Sequence, residues 1–550
     1  MRRLAPLAVA LLAFAARRDP VSPPAACAGA LRSRDLLALQ AYWRQTGGVQ
    51  AAAAHVASDR DDVALLEDAG DLVARRNPFD LDGAALRFSP RAGSAYELAR
   101  LALSLDAPGP SLGLGNDDAR EVELPFAFPF YGVRYGRVFV HADGNLTFGA
   151  ADAGPAARSM GRFLSGPPRI APFFADLDPA RAGSVGARAG ADRVVFSWSA
   201  VPGGGQINRN SFQVALLPDG EIDLVYGAEM QSREAIVGLS PGGAATLTAV
   251  DLSAAAPAAV SGAAAERFSE TEELDVASTV QRFYAGHPDL FEQVIIYTTR
   301  PLNPLAGSLA FEINVKNAVR GIGLEPVDDS ARWGSAGRLE SVVFMDAIDP
   351  YLDVDGFEIL GHEVGHRWLA HLLFTDSSGR ASTALLGRGD GHWNFFLDTD
   401  ASVMEGNAIA DLGGGRFETV DFTRRYSPLD QYAMGLRAAQ EVPTFFYVDG
   451  ADDFRPNRPY KFSSSPEAGV SFTGVRRNVR IEDVVAAMGA REPDAGRASH
   501  SIRLAFVLVS DRGAPATEAR TAAVARIRKR FERFFRDATG GRGTADTSLP

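Results

Sequence analysis

Cysteine is almost absent from this chain, and its scarcity limits the chemistry that is open to the protein. Cys27 is the only cysteine among 550 residues, so an intrachain disulfide and a thiolate metal cluster are both excluded. Lysine is nearly as rare, because Lys316, Lys461 and Lys529 are the only ones and arginine carries the remaining basic charge. Long apolar runs are also missing. Beyond the N-terminus no segment reaches the ~18 unbroken apolar residues typical of a membrane helix, so we expect no membrane span.

The overall composition is that of a globular protein with several domains. The chain is 46% hydrophobic and 23% charged, which excludes wholesale disorder, a collagen-like fibre and a multi-span membrane protein. At about 150 residues per domain, this length indicates three or four units. The net charge of −12 and the isoelectric point near 5.3 argue against nucleic acid or an anionic membrane as a general partner.

The first 16 residues have the pattern of a secretory signal peptide. Arg2 and Arg3 precede a short apolar run at residues 4–16, and small residues near its end suit cleavage. We therefore expect a protein that is secreted or held at the cell surface. Residues 28–110 then read as a small N-terminal unit or a propeptide.

Short strands and turns over residues 118–245 predict an all-β sandwich. Strands are expected at 193–198, 211–217 and 221–226, with a hairpin turn at Asp219-Gly220. The strings FPFYG (128–132), DGNLTFG (143–149) and IAPFFAD (170–176) resemble those of a nidogen-like domain. The resemblance implies an extracellular interaction or spacer module. Asp176 and Asp178 could hold calcium there, although turn carboxylates are common without it.

The pattern changes again after residues 251–280, which are rich in Ala, Ser and Pro and are expected to form a linker. Residues 285–540 read as an α/β domain. Strands are predicted at 293–298, 309–315, 339–345 and 503–509, and helices at 357–374, 481–488 and 517–535. Either 309–315 or 339–345 could form a sheet edge along which an extended peptide would lie.

The string HEVGH at residues 362–366 predicts a catalytic metal site. His362 and His366 are four residues apart, so they share one face of a helix and their rings can meet one ion. A catalytic zinc takes about three protein ligands and a water. Glu363 lies beside them and would act as the general base for that water. The surrounding residues are apolar, and uncompensated His and Glu would be costly there.

The identity of the third ligand is open on the sequence alone. His371 is nearest, but it lies nine residues after His362, about 180° around a continuous helix. His392 follows a Ser- and Gly-rich loop that can turn the chain back. Asp430 is the alternative ligand and Glu405 a further carboxylate, although each could equally cap a helix or form a salt bridge. Tyr432 is a candidate hydrogen-bond donor to an oxyanion, with simple packing the commoner role.

At these residues the chain resembles the leishmanolysin-type metzincins, which are zincin metallopeptidases. In that family the third histidine follows the HExxH helix after an insertion, is followed by tryptophan, and precedes a methionine turn. Here His392-Trp393 precedes Met404 by twelve residues. The resemblance implies a zincin-type α/β domain over 285–540, His392 as the third zinc ligand and Met404 as the floor of the site. The chain departs from the family in having no glycine at the helix end.

These features together predict a multidomain, secreted zinc metalloendopeptidase that cleaves proteins or peptides. The alternative is an extracellular adhesive or matrix-binding protein, whose β domain does the work and whose zinc site is structural or inactive. A weaker third possibility is metal-dependent hydrolysis of a non-peptide amide, which suits so large a two-part region less well.

Overall fold

The computed structural model describes residues 31–49, 58–154, 157–190, 192–254, 258–304, 308–453, 455 and 459–550. Strands make up 38% of the structure and helices 18%, so the protein is rich in β-structure, as expected. The predicted signal peptide, residues 1–16, lies outside the described residues. Within the described ranges, no helix combines the length and the apolar character that a membrane crossing needs.

The described part of the chain contains seven α-helices. They are α1 (Ser33–Thr46), α2 (Met160–Ser165), α3 (Val276–Gly286), α4 (Phe357–Gly365), α5 (Pro428–Met434), α6 (Ile481–Met488) and α7 (Glu518–Ala538). The helices predicted at 481–488 and 517–535 are confirmed as α6 and α7. The helix predicted over 357–374 is too long, because α4 ends at Gly365. The backbone turns at His366 and brings the Leu369 carbonyl to that ring, 3.2 Å from Nδ1.

Two seven-stranded sheets pack face to face as a β-sandwich. The first contains, in spatial order, β16 (Leu247–Ala249), β18 (Ala263–Phe268), β15 (Ala235–Ser240), β10 (Arg169–Phe174), β9 (Asn145–Thr147), β8 (Val133–His141) and β7 (Ala119–Phe130). The second contains β11 (Ser184–Ala189), β12 (Val194–Val201), β13 (Asn210–Leu216), β14 (Ile222–Tyr226), β5 (Ala85–Arg91), β6 (Ala95–Leu101) and β17 (Ala258–Ser261). Apolar side chains from both sheets, including Phe128, Phe196 and Phe212, fill one core between them.

Residues 251–280, which were predicted to be a linker, contain regular secondary structure. It carries β17, β18 and the start of α3, and β18 lies between β15 and β16. Ala263, Ala264 and Ala265 are at most 1% exposed within this strand. Alanine-rich composition suggested a linker, but small side chains also suit a strand that is covered on both faces. Residues 263–268 form a strand because they pair with β15 and β16 and are buried there.

A mixed eight-stranded sheet forms the second body. Its strands are, in spatial order, β1 (Leu31–Arg32), β21 (Phe311–Asn314), β24 (Ser341–Ala347), β20 (Gln293–Thr298), β32 (Ser501–Ser510), β3 (Val63–Glu67) and β2 (Ser58–Arg60), with β33 (Thr544–Asp546) beside β32. Strands β24, β20, β32 and β3 run parallel, and β21 is antiparallel to β24. Helices α1 and α3 cover one face, and α4 and α7 cover the other. Continuous apolar strands fit a sheet that is buried on both sides.

The four predicted strands of this region are confirmed, but one of the two candidate edges is wrong. Strand β24 lies inside the sheet, between β21 and β20. Strand β21 is closer to the edge, and its outer side pairs only with the two residues of β1.

The predicted N-terminal unit, residues 28–110, is divided between the two bodies. Strand β3 pairs with β32 in the mixed sheet, whereas β5 and β6 belong to the sandwich. Helix α1 contacts both, because Leu36 and Leu37 join the core of the mixed sheet while Tyr42 and Trp43 pack on the sandwich. Strands that pair with distant partners give no local sign of it, so the sequence pattern suggested a separate unit.

A closed five-stranded barrel, which the sequence analysis did not anticipate, follows α4. It consists of β27 (Trp393–Asp398), β28 (Glu405–Gly413), β29 (Arg416–Asp421), β31 (Ser471–Val479) and β30 (Phe445–Asp452). Three small two-stranded pairs complete the described β-structure: β4 (Val73–Ala74) with β19 (Glu273–Leu274), β22 (Lys316–Asn317) with β23 (Val327–Asp328), and β25 (Phe374–Thr375) with β26 (Ala381–Ser382). The first residues of β27 and β28, Trp393 and Glu405, pair in parallel and bring two loops to α4.

Candidate metal centre

Helix α4 divides its side chains between the core and the candidate site. Leu360 and Val364 are fully buried in the core that covers the mixed sheet. His362 and His366 lie one turn apart on a different face. The nine-residue helix is therefore anchored by its apolar face, and its histidine face is directed at the loops that precede β27 and β28.

A third face of α4 carries glycines, and it brings the helix unusually close to its neighbours. A Cβ atom added to Gly365 would lie 2.6 Å from Met404 Sδ and 3.1 Å from Tyr426 Cε1. A Cβ atom at Gly361 would lie 2.6 Å from Phe534 Cε1. The Tyr426 hydroxyl also donates to the Gly361 carbonyl at 2.6 Å. The two glycines let Met404 pack directly beneath the helix.

The structure brings His362, His366 and His392 together. Each offers a ring nitrogen, and these nitrogens all lie within 4.8 Å of one another. The Nε2 atoms of His362 and His366 are 3.0 Å apart. The three rings are at most 7% exposed. Two of these histidines were predicted from one helix and the third from the spacing of His392-Trp393 and Met404. We refer to the three as the histidine trio.

Backbone carbonyls fix the tautomer of each ring in the trio. A carbonyl oxygen only accepts hydrogen bonds, so the Nδ1 atom facing it carries the proton and Nε2 keeps a lone pair. The three Nδ1 atoms donate to backbone oxygens as follows: His362 to Val403 at 2.7 Å, His366 to Leu369 at 3.2 Å and His392 to Arg388 at 2.5 Å. The lone pairs therefore converge, which is the arrangement of metal-binding imidazoles whose other nitrogen is anchored.

Burial keeps the trio neutral. It lowers the pKa of His362 to about 4, and the positive charge of Arg388 acts in the same direction. The pKa values of His366 and His392 are lowered well below the usual histidine range, again mainly by burial and then by their neighbours in the trio. Neutral imidazole is the form that binds a metal ion.

His392 is held by the residue that follows it. Trp393 is fully buried, and its Nε1 donates to Asp430 Oδ1 at 2.7 Å. The other carboxylate oxygen of Asp430 accepts from Ser402 Oγ and from the backbone N of Ser427, both at 2.6 Å. Asp430, predicted as the alternative third ligand, is thus not brought to the trio. It ties the His392 strand to the Met404 turn and to the start of α5.

Met404 and Glu405 lie on the turn that closes the site. Met404 is fully buried, and its Sδ packs against Gly365 of α4. Glu405, the further candidate ligand, forms an ion pair with Arg388 instead. Arg388 Nη2 also lies 3.4 Å from His392 Nε2, so a guanidinium group adjoins the trio. Sequence analysis missed Arg388, because nothing in its spacing from His392 distinguishes it from the other arginines.

Glu363 is fully buried beside the trio. Burial raises the pKa of Tyr351 to about 12 and that of Glu312 to about 8. The negative charge of Glu363 adds to the increase at both groups. Tyr432, the predicted oxyanion donor, is placed elsewhere. It packs in the core, and its hydroxyl accepts a hydrogen bond from the Arg491 backbone N at 3.0 Å. Tyr351 is the tyrosine that lies in the electrostatic neighbourhood of Glu363.

His371 is buried close to the trio but is not part of it. Burial lowers its pKa to about 4. Gly391 separates its ring from that of His366, since a Cβ at Gly391 would lie 3.7 Å from His366 Cε1 and 3.9 Å from His371 Cε1. The early end of α4 brings His371 near, yet the loop before His392 passes between them.

Hydrogen bonds from the mixed sheet hold α4 in place. Gln293 Nε2, on β20, donates to the Val364 carbonyl at 3.2 Å and to Ser341 Oγ at 2.9 Å. Arg367, just beyond the helix, is 1% exposed and forms an ion pair with Glu340 at 2.9 Å. The helix is thus supported on its sheet side by polar groups as well as by apolar packing.

A second group of possible metal ligands lies in the sandwich, but a guanidinium group occupies its centre. Asp117, Asp143 and Asp176 have carboxylate oxygens within 4.8 Å of one another. Arg158 Nη2 contacts Asp117 and lies 2.7 Å from Asp143 and 3.2 Å from Asp176. Asp178, the other sequence candidate for calcium, is not in the group. These carboxylates balance an arginine.

Comparison with known proteins gives a match over the sandwich and none over the metal centre. A family model described as NIDO related matches residues 96–284. The sandwich is therefore a nidogen-like domain. Its predicted extent, 118–245, is shorter than both the match and the observed strands, which run from β5 to β18. No curated protein and no protein of known structure matches the chain.

Proposed function

We propose that this protein is a secreted or cell-surface zinc metalloendopeptidase, with a zincin-type α/β domain beside its nidogen-like domain. The observation that carries the proposal is the convergence of three neutral, buried imidazoles next to the buried carboxylate of Glu363. A site with three histidine ligands and an adjacent glutamate is the usual composition of a hydrolytic zinc centre.

The residues fit zinc on the chemistry of their donors. The Nε2 atoms of His362 and His366 face each other at 3.0 Å, although both Nδ1 protons are committed to carbonyls. A metal ion bound by both rings would accept the lone pairs of both Nε2 atoms. Imidazole nitrogen is a preferred zinc ligand, and with one cysteine in the chain no thiolate cluster competes for the metal.

Each residue has a separate task in the proposed reaction. His362, His366 and His392 would hold the zinc ion, which when bound lowers the pKa of water to about 7 and polarises a carbonyl. Glu363 would accept the proton of the attacking water and pass it to the departing amine. Burial strengthens the interaction of the Glu363 carboxylate with charge that develops beside it. Met404 and the carbonyl of Val403 keep the ligands in place.

Metal analysis and cleavage of casein or gelatin test the proposal together. We expect about one zinc per chain in the wild type and in Glu363→Gln, with cleavage by Glu363→Gln reduced roughly 10²- to 10⁴-fold. His392→Ala should lose both metal and activity, whereas His500→Ala, an exposed histidine far along the chain, should keep both. Metal-free wild type, or equal cleavage by wild type and Glu363→Gln, would contradict the proposal.

A second candidate function is adhesion to an extracellular partner through the nidogen-like domain. The observation that favours it is the family match, which falls on residues 96–284 and not on the metal centre. In this case the zinc site would be structural or inactive. Binding to immobilised extracellular matrix proteins should then be the same for wild type and Glu363→Gln, and neither protein should cleave casein.

A further inference from the structure

A cavity of about 800 Å³ lies at the start of α4, and none of the histidine trio lines it. Phe357 at the start of α4 forms part of its wall, and Phe534 of α7 forms another part. The rest of the lining comes from the loop after β27, the loop before α5, α5 and the loop after it, and the second half of α7 with the residues just beyond it. A volume of this size is within the range of ~300–1,000 Å³ that small-molecule sites occupy.

The cavity is strongly basic although the protein as a whole is acidic. Five arginines line it, namely Arg424, Arg425, Arg437, Arg530 and Arg533, against two aspartates, Asp400 and Asp537. The lining therefore has three more positive than negative groups, in a chain whose net charge is −12. A local excess of this sign attracts anions and raises their concentration at the cavity.

Four of the five arginines have a carboxylate within 4 Å. Asp421 lies 2.9 Å from Arg424 and Asp400 lies 3.5 Å from Arg425, and the other two carboxylates are shared with arginines outside the cavity. Asp537 lies 3.5 Å from Arg533 and 3.6 Å from Arg536. Asp355, outside the cavity, lies 2.9 Å from Arg530 and 3.3 Å from Arg526. One acidic group thus serves two arginines in both cases.

Arg437 is the least neutralised member of the group. Its Nε and Nη2 donate to the uncharged Gln431 Oε1, at 3.0 and 2.9 Å. Burial, followed by the positive charge of Arg542, lowers the pKa of Arg437. The negative charge of Glu441 acts in the opposite direction, and an anion in the cavity would add to its effect.

The cavity also has an aromatic wall. The rings of Phe357 and Phe534 stack with their centroids 5.0 Å apart and an interplanar angle of 25°, and Tyr426 lies beside them. Guanidinium groups bind tetrahedral oxyanions through paired N–H donors, and an aromatic wall adds contact area for a ring-shaped body. We propose that this cavity binds a small organic polyanion, a ring compound that carries several phosphate or sulfate ester groups.

Calorimetric titration of the full chain with two defined probes tests this assignment at physiological ionic strength. The probes are myo-inositol hexakisphosphate and sucrose octasulfate, with sucrose as the uncharged control. We expect saturable binding of at least one probe and none of sucrose. Preference for one probe identifies the ester as phosphate or sulfate. Absence of binding by both would overturn the proposal.

Charge-reversed variants locate the site. Arg424 and Arg533 have side chains that are 63% and 81% exposed, so Arg424→Glu/Arg533→Glu should fold normally. We expect its affinity to be weaker by about tenfold or more, since two charge-assisted contacts become repulsive. The matched control is Arg477→Glu/Arg497→Glu, at side chains that are 53% and 64% exposed and outside the cavity. It should bind within about twofold of the wild type. Equal losses in both variants would show that bulk charge alone attracts the probes, and would overturn the proposal.

The outcome is independent of the proposed peptidase function. The cavity variant should retain its zinc and its casein cleavage, because none of its substituted residues touches the trio. Removal of the metal by a chelator should leave probe binding intact as long as the chain remains folded, which circular dichroism checks.

Discussion

The substitution Gly365→Ala tests the close packing of α4 on the Met404 turn. Gly365 has no room for a side chain, because an added Cβ would lie 2.6 Å from Met404 Sδ and 3.1 Å from Tyr426 Cε1. Ordinary contacts between such atoms are about 3.5–4.0 Å. The helix or the turn must therefore move by about 1 Å. Neither neighbour has space to yield, since Met404 and Tyr426 are both fully buried.

Two effects of opposite sign determine the magnitude. Alanine favours a helix over glycine by about 1 kcal/mol. Overpacking of a buried site costs about 1–3 kcal/mol. We expect overpacking to prevail, with a net loss of up to about 2 kcal/mol in the free energy of unfolding. The same displacement moves His362 and His366 relative to His392, which belongs to another element, and we expect zinc affinity to fall by about 10- to 100-fold.

Urea unfolding and zinc titration against a competing chelator measure the two quantities. Gly136→Ala is the matched control, because that glycine lies at an exposed position of strand β8 with nothing within 4 Å of an added Cβ. The loss in the double variant Met404→Ala/Gly365→Ala should be smaller than the sum of the two single losses, since the Met404 side chain that obstructs the new Cβ is then absent. A Gly365→Ala protein with the wild-type urea midpoint and zinc affinity would refute the reasoning.

Four further perturbations probe other parts of the structure. Arg388→Met should tighten zinc binding in a chelator titration. Arg388 Nη2 lies 3.4 Å from His392 Nε2 and competes with a metal ion for the lone pair of that nitrogen. Weaker zinc binding by the variant would contradict this expectation. Asp430→Ala should lower the free energy of unfolding by about 3 kcal/mol in urea, since it strands three donors, and a loss below about 1 kcal/mol would be too small. Burial lowers the pKa of His141 to about 3, so the folded protein keeps this ring neutral while the unfolded chain takes up a proton below about pH 6.5. The free energy of unfolding should therefore fall by about 2 kcal/mol between pH 7 and pH 5. Urea titrations of His141→Gln should lack this pH dependence. Deletion of residues 31–67 should leave the mixed sheet unfolded by circular dichroism and sensitive to protease, because β3 is paired with β32; a stable truncated protein would instead support a removable propeptide.

The parts of the fold that sequence analysis predicted are those with a local signal. The continuous apolar strands β20, β24 and β32 and the helices α6 and α7 were located from periodicity alone. The nidogen-like strings located the sandwich in the sequence, but only its central part. The elements that were not predicted depend on partners distant in sequence. Strand β3 pairs with a strand more than four hundred residues away. The alanine-rich segment β18 is a strand because β15 and β16 flank it.

The candidate site follows the same division. His362 and His366 were predicted from helix geometry, and His392 from a spacing pattern, and the structure brings all three together. The role of Asp430 could not be foreseen, because a carboxylate that accepts from Trp393, Ser402 and Ser427 looks the same in sequence as a metal ligand. The early end of α4 was missed for a related reason. After α4 the chain turns so that the Leu369 carbonyl meets the His366 ring, a contact that helix propensity does not describe.

The cost of burying the trio bears on what a metal would do there. Burying three imidazoles has a desolvation cost, which lowers the pKa of all three rings and is set against the ~5–15 kcal/mol by which a domain is stable. A cation shared by the three offsets that cost, which couples metal binding to folding whether the metal is structural or catalytic. Glu363 distinguishes the two roles. A structural site needs no carboxylate outside the ligand group, whereas in a hydrolytic site that carboxylate is the group that moves the proton.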